Sequence, residues 1–121
     1  MNKRNIGDFY EDLACRYIKE QGAKILQRNF RAMRGEIDII ATDGEYLCFI
    51  EVKYRQNSLR GNPEEAVNFS KQKQICRISN IFLISRYHSL EKPIRYDVIA
   101  LTGTDNAVNI RWIKNAFGYV S

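Results

Sequence analysis

Apolar residues Ile6, Phe9, Tyr10, Leu13, Ala14, Tyr17 and Ile18 recur at the spacing that lines one face of a helix, which predicts a helix from Ile6 to Gln21. Asn5 is placed to cap its start and Gly22 to stop it. The period then changes. Ala23 to Arg31 reads as a strand, a basic link leads to Gly35, and Glu36 to Ala41 and Glu45 to Tyr54 are strands flanking the turn pair Asp43-Gly44. After a polar loop from Arg55 to Gly61, Asn62-Pro63-Glu64-Glu65 supplies an N-cap, a proline at the first helical position and an acid at N3, so a short helix is expected to start there. Ser70 to Tyr87 continues as a longer helix with Ile75, Ile78, Phe82 and Ser85 on one stripe. Pro93 punctuates the chain before the alternating strand Ile94 to Leu101, and Ala107 to Lys114 reads as a final edge strand. The order αβββαββ predicts an α/β fold: one mixed sheet packed by helices.

Nothing in this pattern divides the chain. Its 121 residues suffice for one domain with one core, and no repeat or long linker interrupts residues 1–121. No apolar run approaches the length of a membrane span, so a cytoplasmic protein with no membrane partner is expected. Cys15, Cys48 and Cys76 are odd in number, far apart and set in apolar surroundings, which argues for buried thiols rather than a disulfide framework or a zinc site.

The net charge of +5 favours an anionic partner, and its distribution is more informative than its sum. Residues 1–34 carry eight Lys/Arg against four Asp/Glu, and residues 53–92 carry eight against three. Residues 35–52 carry five acids and no base. An acidic island inside a basic chain suits a carboxylate cluster that holds metal against phosphate; two solvated basic helices around a hairpin are the simpler alternative.

Two of those acids stand where carboxylates are costly. Tyr46 to Val52 is apolar on both faces, as in a strand covered on each side, yet Glu51 lies within it, and Asp38 sits inside Ile37-Asp38-Ile39-Ile40. If Asp43-Gly44 closes a two-residue turn, cross-strand partners have numbers summing to 87. Glu36 then faces Glu51, Asp38 faces Phe49, and Asp38 is diagonal to Glu51. Strand alternation places Glu36, Asp38, Glu51 and Lys53 on one face, with Asp38 and Glu51 close enough to share a divalent ion. The chemistry that uses such a set is metal-assisted phosphodiester hydrolysis: hard carboxylate oxygens hold Mg²⁺, which polarises the phosphate and lowers the pKa of bound water, while Lys53 stabilises developing charge. A buried ion pair between Lys53 and one of the acids is the structural alternative.

Gly35-Glu36-Ile37-Asp38 followed by Phe49-Ile50-Glu51-Val52-Lys53 resembles the PD-(D/E)xK nuclease superfamily. More closely, the chain is similar to the YraN-type family of uncharacterised bacterial proteins, regarded as relatives of archaeal Holliday junction resolvases. The likeness extends through Gly7, Glu11, Gly22, Asn29-Phe30-Arg31, Lys71 and Arg95-Tyr96-Asp97-Val98. It implies a restriction-endonuclease-like fold, with Asp38 and Glu51 as metal ligands, the Val52 carbonyl as a third, and Lys53 as the catalytic lysine. Glu11 matches an acid that resolvase-like members carry on their first helix. The proline of the superfamily's first motif is absent, Ile37 taking its place, and Tyr10 stands where many relatives have a small residue.

Periodicity bears on the outlying residues. Glu11 shares a stripe with Ala14 and Ile18 and reaches either the sheet or solvent. Lys71 extends the stripe of Ile75 and Ile78, which leaves it either to contact substrate phosphate or to snorkel past a helix end. Arg55 and Arg60 lie on the loop that leaves the Glu51 strand, where bound DNA would pass. The expectation is a Mg²⁺- or Mn²⁺-dependent endonuclease acting on DNA, including branched DNA, with a homodimer borrowed from the resolvases. The alternative is a nucleic-acid-binding module that keeps the fold without catalysis.

Overall fold

The computed structural model describes residues 3–57, 67–104 and 107–121. The short helix expected at Asn62 to Glu65, and Arg60 before it, lie outside these residues. The described elements are α1 (Lys3–Glu20), β1 (Lys24–Ala32), β2 (Gly35–Asp43), β3 (Tyr46–Arg55), α2 (Phe69–Tyr87), β4 (Ile94–Thr102) and β5 (Asn109–Phe117). The order αβββαββ is the one the hydrophobic pattern predicts. α1 begins at Lys3, so Asn5 lies within the helix and does not cap it. The strands form one mixed sheet in the order β1-β2-β3-β4-β5. Neighbouring pairs are antiparallel except β3 and β4, which run parallel across the crossover that contains α2.

β3 is the middle strand, and both of its faces are covered. Leu47 and Phe49 pack with Ile75, Ile78 and Phe82 of α2, whereas Cys48 and Ile50 pack with Tyr10, Ala14 and Ile18 of α1. Phe49 is fully buried and meets Phe82 edge-on, ring centroids 5.9 Å apart. Burying one such side chain contributes about 1.5–3 kcal/mol. α2 buries Ile75, Cys76, Ile78, Ser79, Phe82 and Leu83, while Ser85, expected on that stripe, is exposed. All three cysteines are buried thiols. No described helix is long and apolar enough to cross a membrane.

The β2–β3 turn differs from expectation. Asp43 pairs with Tyr46, so the two-residue loop is Gly44-Glu45 and not Asp43-Gly44. Gly44 has φ +61° at the first loop position, where glycine is the residue that turn chemistry calls for. Asp43 is retained in the strand by Arg95 and Lys114, each 2.9 Å from its carboxylate. Both partners lie far along the chain, so the local dipeptide carries no sign of them. Cross-strand numbers therefore sum to 89, as in Ile39 opposite Ile50.

Arg95 extends this cluster. Its guanidinium also binds Asp97, whose fully buried carboxylate accepts from the Trp112 indole (2.9 Å) and the Asn115 amide (2.8 Å). The network ties β2, β4 and β5 together at the end of the sheet where β3 begins. Hydrogen bonds from Lys114 and Arg95 hold the Asp43 carboxyl below its ordinary pKa. A lowered folded-state pKa stabilises the protein above the unfolded value and loses that contribution as pH falls through the folded one. Asp43→Asn is therefore expected to be less stable than wild type at neutral pH and to show a shallower stability loss below the ordinary aspartate pKa of about 3.9, as measured by urea unfolding across that range.

Candidate active site

β2 and β3 part company just beyond Ile39 and Ile50, the last pair on that side of their ladder. The next positions outward, on the same register, are Asp38 and Glu51. Asp38 does not continue the ladder. Its Oδ2 accepts the Val52 N–H at 2.8 Å, so a side chain replaces a main-chain carbonyl at the point of divergence. Carried one position further, this register sets Asp38 opposite Glu51 instead of diagonal to it, and the two side chains share a hydrogen bond.

Simple alternation does not account for the meeting. In β3 it holds, and Glu51 follows Leu47 and Phe49 on the α2 side. In β2 it breaks, because Ile37 belongs to the core under α2 whereas Ile39 belongs to the core under α1. The change falls at Asp38. β1 changes face in step: Arg28, opposite Ile39, reaches α1 at Glu11 and Asp12, while Phe30, opposite Ile37, packs against Phe82. Asn29 between them has φ +53°, a left-handed conformation in which asparagine is enriched. A crease therefore crosses both strands at Asn29 and Asp38. The expectation that Glu36, Asp38, Glu51 and Lys53 share one face gives way to a site gathered around that crease.

Asp38 lies in a cleft of about 360 Å³ with Glu11, Asn29, Glu36, Val52 and the stacked pair Tyr10 and Tyr54, whose rings are 3.7 Å apart. The Asn29 amide donates to Glu11 and to Glu36, each at 3.1 Å, and links α1 to β2. Glu11 also pairs with Arg28 at 3.0 Å, and Glu36 with Arg31 at 2.8 Å. Arg28 is a cleft-side residue that the sequence does not single out, and Asn29 enters only through the family resemblance, with no role assigned to it by the hydrophobic pattern. A left-handed asparagine within a strand leaves no periodic mark that would expose it. Tyr10 occupies its unusual position by stacking on Tyr54, whose hydroxyl donates to the Gly103 carbonyl at 2.7 Å.

Glu51 is 6 % exposed, and its Oε2 has no hydrogen-bond partner among the described residues. Lys71, in the first turn of α2, approaches it to 3.5 Å, an ion-pair distance without hydrogen-bond alignment. The sequence alternative of an ion pair from Lys53 is thus replaced by one from Lys71. Lys53, two residues beyond Glu51 on β3, is half-buried and has no ion-pair partner among the described residues. Arg55 closes β3, its guanidinium donating to the Tyr54 carbonyl at 3.2 Å. Of the residues selected from sequence, Asp38, Glu51, Val52 and Glu11 come together at the crease, with Lys71 reaching Glu51 from α2.

The donor set suits a hard divalent cation: two carboxylates, one carrying a buried oxygen without a hydrogen-bond partner, beside the main chain of Val52. Among the described residues no group of three or more His, Cys, Asp or Glu converges on one point. Mg²⁺ is commonly held by one or two carboxylates, with water and substrate phosphate completing its shell. The residues present therefore fit such an ion.

Burial, and then the neighbouring Glu51 carboxylate, push the Asp38 carboxyl up to about 9. Between the ordinary aspartate value of about 3.9 and that value, the folded protein holds a proton that the unfolded chain has released, so stability falls as pH rises. In chelator-treated protein, Asp38→Asn is expected to flatten this decline. Urea midpoints measured from acid to alkaline pH for both proteins check it; parallel curves would contradict the assignment.

Comparison with known proteins places the chain. Residues 10–101 match the model of the uncharacterised protein family UPF0102. A UPF0102 protein of Clostridium kluyveri is 45% identical over 116 residues, covering 94% of each chain. One of Lachnoclostridium phytofermentans is 43% identical over 117 residues, covering 97% of this chain and 96% of its own. The match includes most of α1, the crease, both carboxylates, Lys53 and Lys71, and on this extent the chain belongs to the UPF0102 family, the YraN-type proteins.

Proposed function

We propose that the protein is a divalent-metal-dependent endonuclease that hydrolyses phosphodiester bonds in DNA, including branched DNA. The observation that carries this reading is the contact of the Asp38 and Glu51 carboxyl groups at the parting of two strands, with the buried Glu51 Oε2 lacking a hydrogen-bond partner among the described residues. Two carboxylates held together under burial are costly, and a cation between them would relieve both the repulsion and the lost hydration. The likeness of the Glu36 to Asp38 and Glu51 to Lys53 segments to the PD-(D/E)xK nucleases points the same way, as does the basic charge surrounding an acidic centre.

Asp38 and Glu51 would hold Mg²⁺ or Mn²⁺, with the Val52 carbonyl as a further oxygen donor. Bound there, the ion supplies Lewis-acid activation of the phosphate and of water. The Val52 amide fixes one Asp38 oxygen, so that carboxylate is oriented before substrate arrives. Lys53 supplies a positive charge that no described acid neutralises; it orients the nucleophile and stabilises charge developing on phosphorus-bound oxygen. Glu11, held by Arg28 and Asn29, shares the cleft of Asp38 and sets its negative field. Lys71, at the start of α2, and Arg55, at the end of β3, serve as contacts for flanking phosphates.

The test is cleavage of four-way, flapped, single-stranded and linear DNA in Mg²⁺ or Mn²⁺ by wild type, Asp38→Ala and Lys53→Ala, each shown to be folded by circular dichroism. Wild type is expected to cut in a metal-dependent way, Asp38→Ala to be inactive, and Lys53→Ala to lose about 10²–10³-fold in rate. If wild type cuts nothing and binds DNA as tightly as Asp38→Ala does, the protein is a binding module.

A further inference from the structure

The β1–β2 hairpin is built against the preferences of its own residues. Ala32 pairs with Gly35, so Met33 and Arg34 form the whole loop, and both have positive φ, 46° and 62°. That is the signature of a type I′ turn, for which Asn-Gly is the favoured pair and neither methionine nor arginine is suited. Packing does not compensate. Met33 is 63 % exposed, and Arg34 is exposed with no ion pair among the described residues. The base of the hairpin is fixed, however. A Cβ on Gly35 would come within 2.6 Å of Ile78 and 2.7 Å of Gln74, so the start of β2 lies close against α2.

Between the hairpin and α2 lies an open cleft of about 590 Å³, walled by Arg31, Arg34, Glu36, Lys71 and Gln74 with Met33 at its rim. Three cations and one acid line it: Arg31 pairs with Glu36 at 2.8 Å and Lys71 approaches Glu51 at 3.5 Å, and Arg34 has no ion pair among the described residues. Arg31 and Glu36 also line the cleft that contains Asp38, so the two clefts share a wall, and Lys71 joins the second to Glu51. An anionic polymer whose backbone passes the carboxylate pair therefore has a continuous basic path beneath the hairpin. At the end of that path stands Met33, an exposed, flexible apolar side chain of a type that proteins insert between base steps.

We infer that this hairpin and the cleft beneath it extend the DNA-binding surface beyond the carboxylate pair: Arg31 and Arg34 hold backbone phosphates beside Lys71, and Met33 inserts where base stacking is interrupted. The assignment rests on the DNA reading above but not on catalysis. Unfavourable backbone conformation retained at an exposed tip is explained if the tip's side chains are selected for binding rather than for turn formation.

The double variant Met33→Asn, Arg34→Gly installs the favoured turn and so separates folding from binding. It is expected to melt at a higher temperature than wild type. Fluorescence anisotropy with a labelled four-way junction and a linear duplex of the same sequence, in Ca²⁺ and at several salt concentrations, reads the affinity. The double variant is expected to bind the junction about tenfold more weakly, with a log–log salt slope shallower by about 0.9, since one phosphate is no longer neutralised by Arg34. Met33→Ala is expected to keep the slope and to weaken junction binding more than duplex binding. Unchanged junction affinity and slope in the double variant would overturn the assignment. A wild type that binds DNA in this assay but cuts none in Mg²⁺ or Mn²⁺ removes only the catalytic reading, whereas one that binds neither DNA removes both.

Discussion

Two acids in poorly hydrated surroundings cannot both ionise without repelling, so Asp38 retains its proton beside Glu51, and the two remain together because each is rooted in a strand held elsewhere. Glu51 continues a strand whose preceding residues, Cys48, Phe49 and Ile50, are fully buried between two helices. Asp38 is tied to the Val52 amide and follows β2 out of its ladder. The opposite end of the sheet is clamped by Arg95, Asp97 and Asp43, where opposite charges and full hydrogen bonding make burial favourable. One end closed by attraction allows the other to hold two acids that do not readily ionise together. The two clusters are chemically opposite.

Backbone strain is distributed in the same asymmetric way. Asn29, Met33 and Arg34, three of the five described non-glycine residues with positive φ, lie in the arm that carries Asp38 and Glu36. Asn29 redirects β1 so that Arg28 meets α1 while Phe30 enters the core below α2. Its side-chain amide then bridges two glutamates that would otherwise repel. The conformation and the hydrogen bonds are parts of one device that brings acids from a helix and a strand into one cleft.

Much of this is legible in residue order. The two helices and five strands follow from apolar spacing, and β3 is recognisable as an interior strand because both its faces are apolar. Asp38 and Glu51 stand out as carboxylates in apolar runs. Their meeting survives an incorrect turn because moving the loop by one residue changes the pair sum from 87 to 89 and leaves it odd, so the same face pairs with the same face. The turn itself escapes local reading because Asp43-Gly44 is a strong signal, overridden by two cations that only the folded sheet brings to Asp43. The crease is illegible for a related reason: alternation assumes a regular strand, and Asn29 and Asp38 interrupt it.

By itself the sequence determined the order of elements, the double burial of β3 and the presence of two carboxylates that an apolar strand does not need. These depend on period and composition, which are properties of neighbours in the chain. Only the tertiary structure decided that Asp38 takes the Val52 amide, that Lys71 rather than Lys53 approaches Glu51, and that Asn29 joins Glu11 to Glu36. Each of those interactions joins residues from different elements. Its geometry is set by how helix and sheet pack, a balance of burial, charge and strain that no single segment contains.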